Sequence, residues 1–186
     1  MQTWLKLKVI FQKLLMISLG LLLFYGCDDD ELDAAFVMNY PNLEFEIPAG
    51  LNTVESHFFV IRNIPTNRES FFGNFSPEDI SAIIPASARL VSLDGGNVDY
   101  DFALEISVRL CTTEDGTEDC RFNEIFYRDP VPENVGSEVG MIPNEQNVAD
   151  FLTQDQFTVA VVLRRLVRPP VTFVRTRLEM RFEAKR

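Results

Sequence analysis

Histidine occurs once in the 186 residues, tryptophan once, and cysteine three times. Each scarcity removes a class of chemistry. A closed zinc site draws four ligands from Cys, His and carboxylate side chains, and His57 beside a bridged cysteine pair does not supply one. His57 is followed by Phe58, Phe59, Val60 and Ile61, a setting for a strand residue on a sheet face rather than a general base. No nucleophile elbow compensates, because Gly136-Ser137-Glu138-Val139-Gly140 lacks the Gly-x-Ser-x-Gly spacing. Paired carboxylates of a glycosidase would need a fixed separation that no spacing here imposes, and no cofactor motif occurs. The chain is therefore read as non-catalytic, with a small hydrolase the least favoured alternative. Aromatic platforms for sugars are also few. Trp4 lies in the N-terminal segment, and Tyr40, Tyr100 and Tyr127 are the only tyrosines after it.

Positive charge is scarce through most of the chain. Residues 27–163 carry 6 arginines against 26 acids, net −20, whereas residues 164–186 carry 8 basic residues against Glu179 and Glu183, net +6. Nucleic acid is a poor partner for the acidic body. The basic strip, with Arg175, Arg177 and Arg181, either neutralises acids on the same sheet or faces phosphate headgroups or an acidic partner.

The first 26 residues contain Lys6, Lys8 and Lys13 and no acid, then thirteen uncharged residues from Leu14 to Gly26. That is the basic and apolar order of a signal peptide. The apolar stretch is shorter than the roughly 20 residues of a spanning helix. It ends at Gly26-Cys27, followed by Asp28-Asp29-Asp30-Glu31. These residues resemble the lipobox of bacterial lipoproteins followed by an acidic run, as in Bacteroidota envelope lipoproteins. The resemblance implies cleavage before Cys27 and a diacylglyceryl thioether with further acylation on that cysteine. It further implies an outer-membrane anchorage, with the acidic run resembling a signal for surface export, and a periplasmic face as the alternative. Two or three acyl chains, at about 0.8 kcal/mol per buried methylene, hold a protein on a bilayer durably. The implied organisation is a signal peptide at 1–26, an acidic tether at 27–33 and one domain at 34–186. Removing the three signal lysines changes the net charge from −11 to −14.

With Cys27 assigned to lipid, Cys111 and Cys120 remain as an even pair in an oxidising compartment, where a disulfide is expected. Asp115-Gly116 between them is a type I′ hairpin signal. A two-residue loop there pairs 114 with 117, 113 with 118, 112 with 119 and 111 with 120, and continues to Ile106 opposite Ile125 and Leu104 opposite Tyr127.

Elsewhere the dominant period is two. Alternation from Asp99 to Leu110 predicts a strand with one buried face. Thr172, Val174, Thr176, Leu178, Met180, Phe182 and Ala184 predict the inward face of a last strand. Phe157–Leu166 is apolar on both faces, and Arg168-Pro169-Pro170 separates it from the last strand, so the two are expected as a hairpin. Further strands are expected over 34–40, 43–47, 54–64 and 88–93. Ser76-Pro77-Glu78-Asp79 predicts a capped helix running to Pro85, and Asn147 caps a second over 148–153. Residues 129–146 read as a long loop. The expected fold is all-β, an antiparallel β-sandwich of about seven to nine strands with two short helices.

Two surface features complete the expectation. Phe71, Phe72 and Phe75 form either an interaction patch or a plug at one end of the sandwich. Glu114, Asp115, Glu118 and Asp119 on one hairpin tip, and Asp94, Asn97, Asp99 and Asp101 on another, offer oxygen ligands for calcium without EF-hand spacing. They read as solvated acidic turns, with no resident metal. The function expected is a binding or accessory subunit of an outer-membrane assembly with an envelope protein as partner, a glycan- or polymer-binding module being the alternative.

Overall fold

The computed structural model describes residues 34–95, 98–114 and 117–186, so the signal segment, Cys27, the acidic tether, Asn97 and Asp115 lie outside the described residues. The fold is all-β. Eight antiparallel strands are β1 (Ala34–Ile47), β2 (His57–Pro65), β3 (Ala82–Ser92), β4 (Ala103–Glu114), β5 (Thr117–Arg128), β6 (Glu138–Pro143), β7 (Gln156–Leu166) and β8 (Val174–Lys185). Two short helices, α1 (Arg68–Phe72) and α2 (Ala149–Leu152), accompany them. The strands form one sheet in the order β1-β8-β3-β6-β5-β4-β7-β2.

That sheet folds on itself as two four-stranded halves. On one side the halves are joined by a ladder of two pairs, Phe126 with Pro143 and Tyr127 with Ile142. On the other side β1 and β2 face each other without a ladder, and the ring of Phe45 lies 5.5 Å from that of Phe59. Between the halves a single core takes in Met38, Ile47, Leu90, Ile106, Phe126, Val161, Leu178 and Phe182, all 0% exposed. In β8 the predicted alternation holds from Val174 to Ala184, with every second residue buried.

Several expected boundaries move, each for a physical reason. The strands expected at 34–40 and 43–47 are one strand, and Tyr40 to Leu43 is a register irregularity within it. Pro41 is tolerated because β1 is an edge, where a missing N–H costs no ladder bond. The helix expected from Ser76 is a single 3-10 turn, Pro77–Asp79, in which the Asp79 carboxylate accepts the Ser76 N–H at 2.8 Å. Strand β3 starts at Ala82 because Ile83 is needed in the core, and Pro85 sits at another register irregularity. Residues 52–55 form a turn in which Asn52 Oδ1 accepts the N–H groups of Val54 and Glu55, so β2 begins at His57. Tyr100–Phe102 is a 3-10 turn rather than the start of β4.

Three corrections concern topology. Strands β7 and β8 are not a hairpin: β7 pairs with β2 and β4, whereas β8 pairs with β1 and β3. Pro169-Pro170 makes a crossing connection instead of a tight turn. The segment 129–146 contains β6, whose Val139 and Met141 point inward. Finally, Ile106 pairs with Arg128 rather than Ile125, and Ser107 rather than Leu104 faces Tyr127. Register is as expected at the tip, where Thr112, Thr113 and Glu114 face Asp119, Glu118 and Thr117. Irregularities at Leu110/Thr112 and Val108/Arg109 then shift it by three residues. An odd shift moves a strand's residues to the opposite face, which is how the adjacent Ile125 and Phe126 both become buried.

Candidate functional site

The bulges in β5 bend the β4–β5 hairpin. Arg62 of β2 reaches Glu118 of β5 at 2.7 Å, although β7 and β4 lie between those strands in the sheet. A flat sheet would separate them by about 14 Å of strand spacing. The tip therefore curls across the outer face, where Cys111 and Cys120 pack with Val60, Ala160 and Val162. This contact explains the burial of β7 on both faces. The cysteines are joined by a disulfide with a Cα–Cα distance of 4.1 Å.

Arg109 secures the bend from below. Its side chain is outward on β4 yet the residue is only 5% exposed. Nη1 donates to the Arg121 carbonyl at 2.6 Å and Nε to Ser107 Oγ at 3.3 Å. Burial pushes the guanidinium pKa down, Arg164 adds to that, and Glu124 and Glu105 oppose it. The Arg121 carbonyl lies within the irregular stretch of β5, where no ladder partner is present, and Arg109 supplies its donor.

Bending the hairpin leaves a cleft of 480 Å³ between its stem and α2. Cys111 and Thr112 form one side, Asp150, Phe151 and Gln154 the other, and Gln156, Thr158 and Asn63 lie along β7 and β2. Helix α2 is held against the sheet by Asn147, whose Oδ1 accepts from Ala149 N at 3.0 Å and from Ile83 N at 3.0 Å. Asn63 owes its place to one extra residue in β2 between Ile61 and Ile64. Its φ is 55°, a left-handed conformation that asparagine adopts more readily than most residues. Bulges commonly re-aim a side chain in this way.

The residues singled out in the sequence fall elsewhere. Phe72 is 5% exposed and Phe71 and Phe75 are half-buried. Their rings pack on β1, with Phe36 to Phe72 at 4.9 Å, Phe36 to Phe75 at 6.0 Å and Tyr40 to Phe71 at 5.8 Å. The aromatic patch is thus a plug under α1, and Phe72 is withdrawn from surface contact. Arg175 meets Asp94 at 2.8 Å, Arg177 meets Glu179 at 2.8 Å and Arg181 meets Glu183 at 3.1 Å, so the basic strip is paired within its own sheet. Hydrogen bonds from the Arg175 backbone and side chain hold the Asp94 carboxyl below the usual carboxylate range. Of the calcium candidates, Glu118 is paired with Arg62 and Asp119 with Arg121 at 3.0 Å. His57 donates from Nε2 to the Asn52 carbonyl at 2.8 Å and so orders a turn. The cleft residues themselves were missed. The signal available was the cluster of amides in Gln154-Asp155-Gln156 just before an apolar strand.

A second feature lies at the opposite end of the barrel. Val54, Val167, Val171 and Phe173 are 90%, 64%, 94% and 56% exposed. They project from the β1–β2 and β7–β8 loops, which Gly50 N ties together by donating to the Pro170 carbonyl at 2.9 Å. No protein-family profile matches the chain, and neither a curated protein nor a solved structure matches it.

Proposed function

We propose that the protein is a lipid-anchored binding subunit of the cell envelope. Cys27 carries the lipid, and the apolar rim of Val54, Val167, Val171 and Phe173 engages a protein partner in an outer-membrane assembly. The supporting observation is the arrangement of ends. Ala34, where the tether joins, pairs with Lys185 at one end of the sheet, whereas the rim is carried by loops at the other. Seven residues from Cys27 to Ala34 span at most about 25 Å, which limits how far the Ala34 end can lie from an acylated Cys27. Exposed apolar side chains rimmed by polar residues mark contact sites for proteins or membranes, and at the end away from the tether a protein is the partner proposed. Arg168 paired with Asp101, and Arg175 paired with Asp94, border the rim.

Two measurements on the full chain in its native membrane test the reading. Cys27→Ser is expected to abolish metabolic labelling of the protein with palmitate. A photo-crosslinker at Val171 is expected to trap one discrete envelope protein, and Phe173→Glu to abolish the adduct, while a crosslinker at Glu69 near the anchor end labels lipid. Lipid adducts at Val171, or palmitate labelling of Cys27→Ser, would refute it.

A further inference from the structure

We propose that the cleft between the bent hairpin and α2 is a binding site for a neutral saccharide chain. Its lining is chemically unlike the rest of the surface. On the outer faces of the sheet many arginines are paired with acids, as at Arg89 with Glu138 and Glu179. In the cleft no arginine or lysine is present, and Asn63, Gln156, Thr158 and the Asp150 carboxylate make no side-chain hydrogen bond to another of the described residues. Gln154 uses only its Nε2, which donates to the Asp150 carbonyl at 2.6 Å.

Each ligand class can be weighed against that lining. Phosphate and other anions need cationic or convergent N–H donors, and a lone carboxylate repels them. A lipid tail needs a mainly apolar wall, which Phe151, Phe157 and Cys111 among six polar residues do not make. Amides and hydroxyls supply donors and acceptors together, and a sugar hydroxyl likewise donates and accepts. Asp150 adds an acceptor of the kind that takes two adjacent hydroxyls, and Phe151 an apolar surface for the C–H face of a ring. The 480 Å³ volume lies within the range of small-ligand sites. The bulge in β2 directs the Asn63 amide to the cleft.

This site is separate from the apolar rim and does not depend on the lipid anchor. It is tested with the detergent-solubilised full chain in affinity electrophoresis through gels holding a neutral polysaccharide (β-glucan, xylan or mannan) or an anionic one (alginate or heparin). Retardation by at least one neutral polymer is expected. Asn63→Gly, which retains the left-handed backbone, combined with exposed Gln156→Ala is expected to weaken it at least tenfold at an unchanged melting midpoint. Thr158→Val, differing by a hydroxyl, weakens it alone, and Phe173→Glu leaves it intact. Absence of retardation in every neutral gel, equal retardation in the anionic gels, or undiminished retardation of the variants overturns the proposal.

Discussion

At the residue scale, the two buried tyrosines show how polar atoms are accommodated inside an apolar barrel. Tyr100 is 0% exposed, and its hydroxyl donates to Thr176 Oγ1 at 3.0 Å; Tyr40 donates to the Thr66 carbonyl at 3.1 Å. Burial pushes the Tyr100 pKa up to about 12 and that of Tyr40 above its ordinary value. An unfolded tyrosine ionises near pH 10. Between pH 10 and 12 the unfolded chain has released these protons while the folded chain keeps them, so stability falls as pH rises, by up to about 1.4 kcal/mol per unit for each group. Urea denaturation between pH 8 and 12 should show flat stability to pH 9 and a decline beyond it. Tyr100→Phe should lower stability at pH 8 by about 1 kcal/mol through the lost hydrogen bond, and should flatten the alkaline decline. A slope unchanged in Tyr100→Phe would mean that another group carries it. The acid side has the opposite sign. Asp94 is held below the carboxylate range, so its contribution is present above about pH 4 and is lost as pH falls through its lowered value.

At the element scale, the bent hairpin decides where a site forms. The Asp115-Gly116 turn made the tip register and the disulfide legible, because turn type and cysteine spacing are local properties. The two irregularities below it were not legible, since they serve a long-range purpose, the covering of Val60, Ala160 and Val162. Their only trace was the two-sided apolar run of β7, which shows that something covers the outer face but not what. Strand β6 was hidden for a related reason: six residues with Gly140 in the middle give too few alternations to stand out. Cys111→Ala with Cys120→Ala is expected to cost about 2 to 3 kcal/mol in the chain-entropy account of a short loop. Amide exchange should quicken over residues 109–122 and stay unchanged in β8, because only the Arg109 hydrogen bonds and the Arg62–Glu118 pair then hold the bend. Uniform acceleration through the whole sheet would show that the bridge supports the barrel rather than the hairpin.

At the scale of the whole molecule, the barrel is closed unequally. Strands β8, β4 and β7 have neighbours on both sides, whereas β1 and β2 each have one ladder and meet each other through side chains. The Phe45–Phe59 contact and the edge-on packing of Tyr40 against Phe157 at 5.0 Å seal that seam. Sealing by rings excludes water from the core but leaves the seam-side backbone groups without inter-strand partners. Free edges invite pairing with other chains, and here the irregularities at Tyr40/Leu43 and Ile61/Ile64 break both into short runs. Opening energy should therefore vary across the sheet, lowest at this seam. Native-state hydrogen exchange is expected to show β1 and β2 opening in a common low-energy step, with β4 and β7 protected until global unfolding. Phe59→Ala removes a ring that is only partly buried, so it should cost less than the roughly 3 to 5 kcal/mol of a fully buried phenylalanine. That cost should fall on the β1 and β2 step, while β4 and β7 change only through global stability. Equal protection of β2 and β4 in the unaltered protein would mean that ring packing alone holds the seam as firmly as a ladder does.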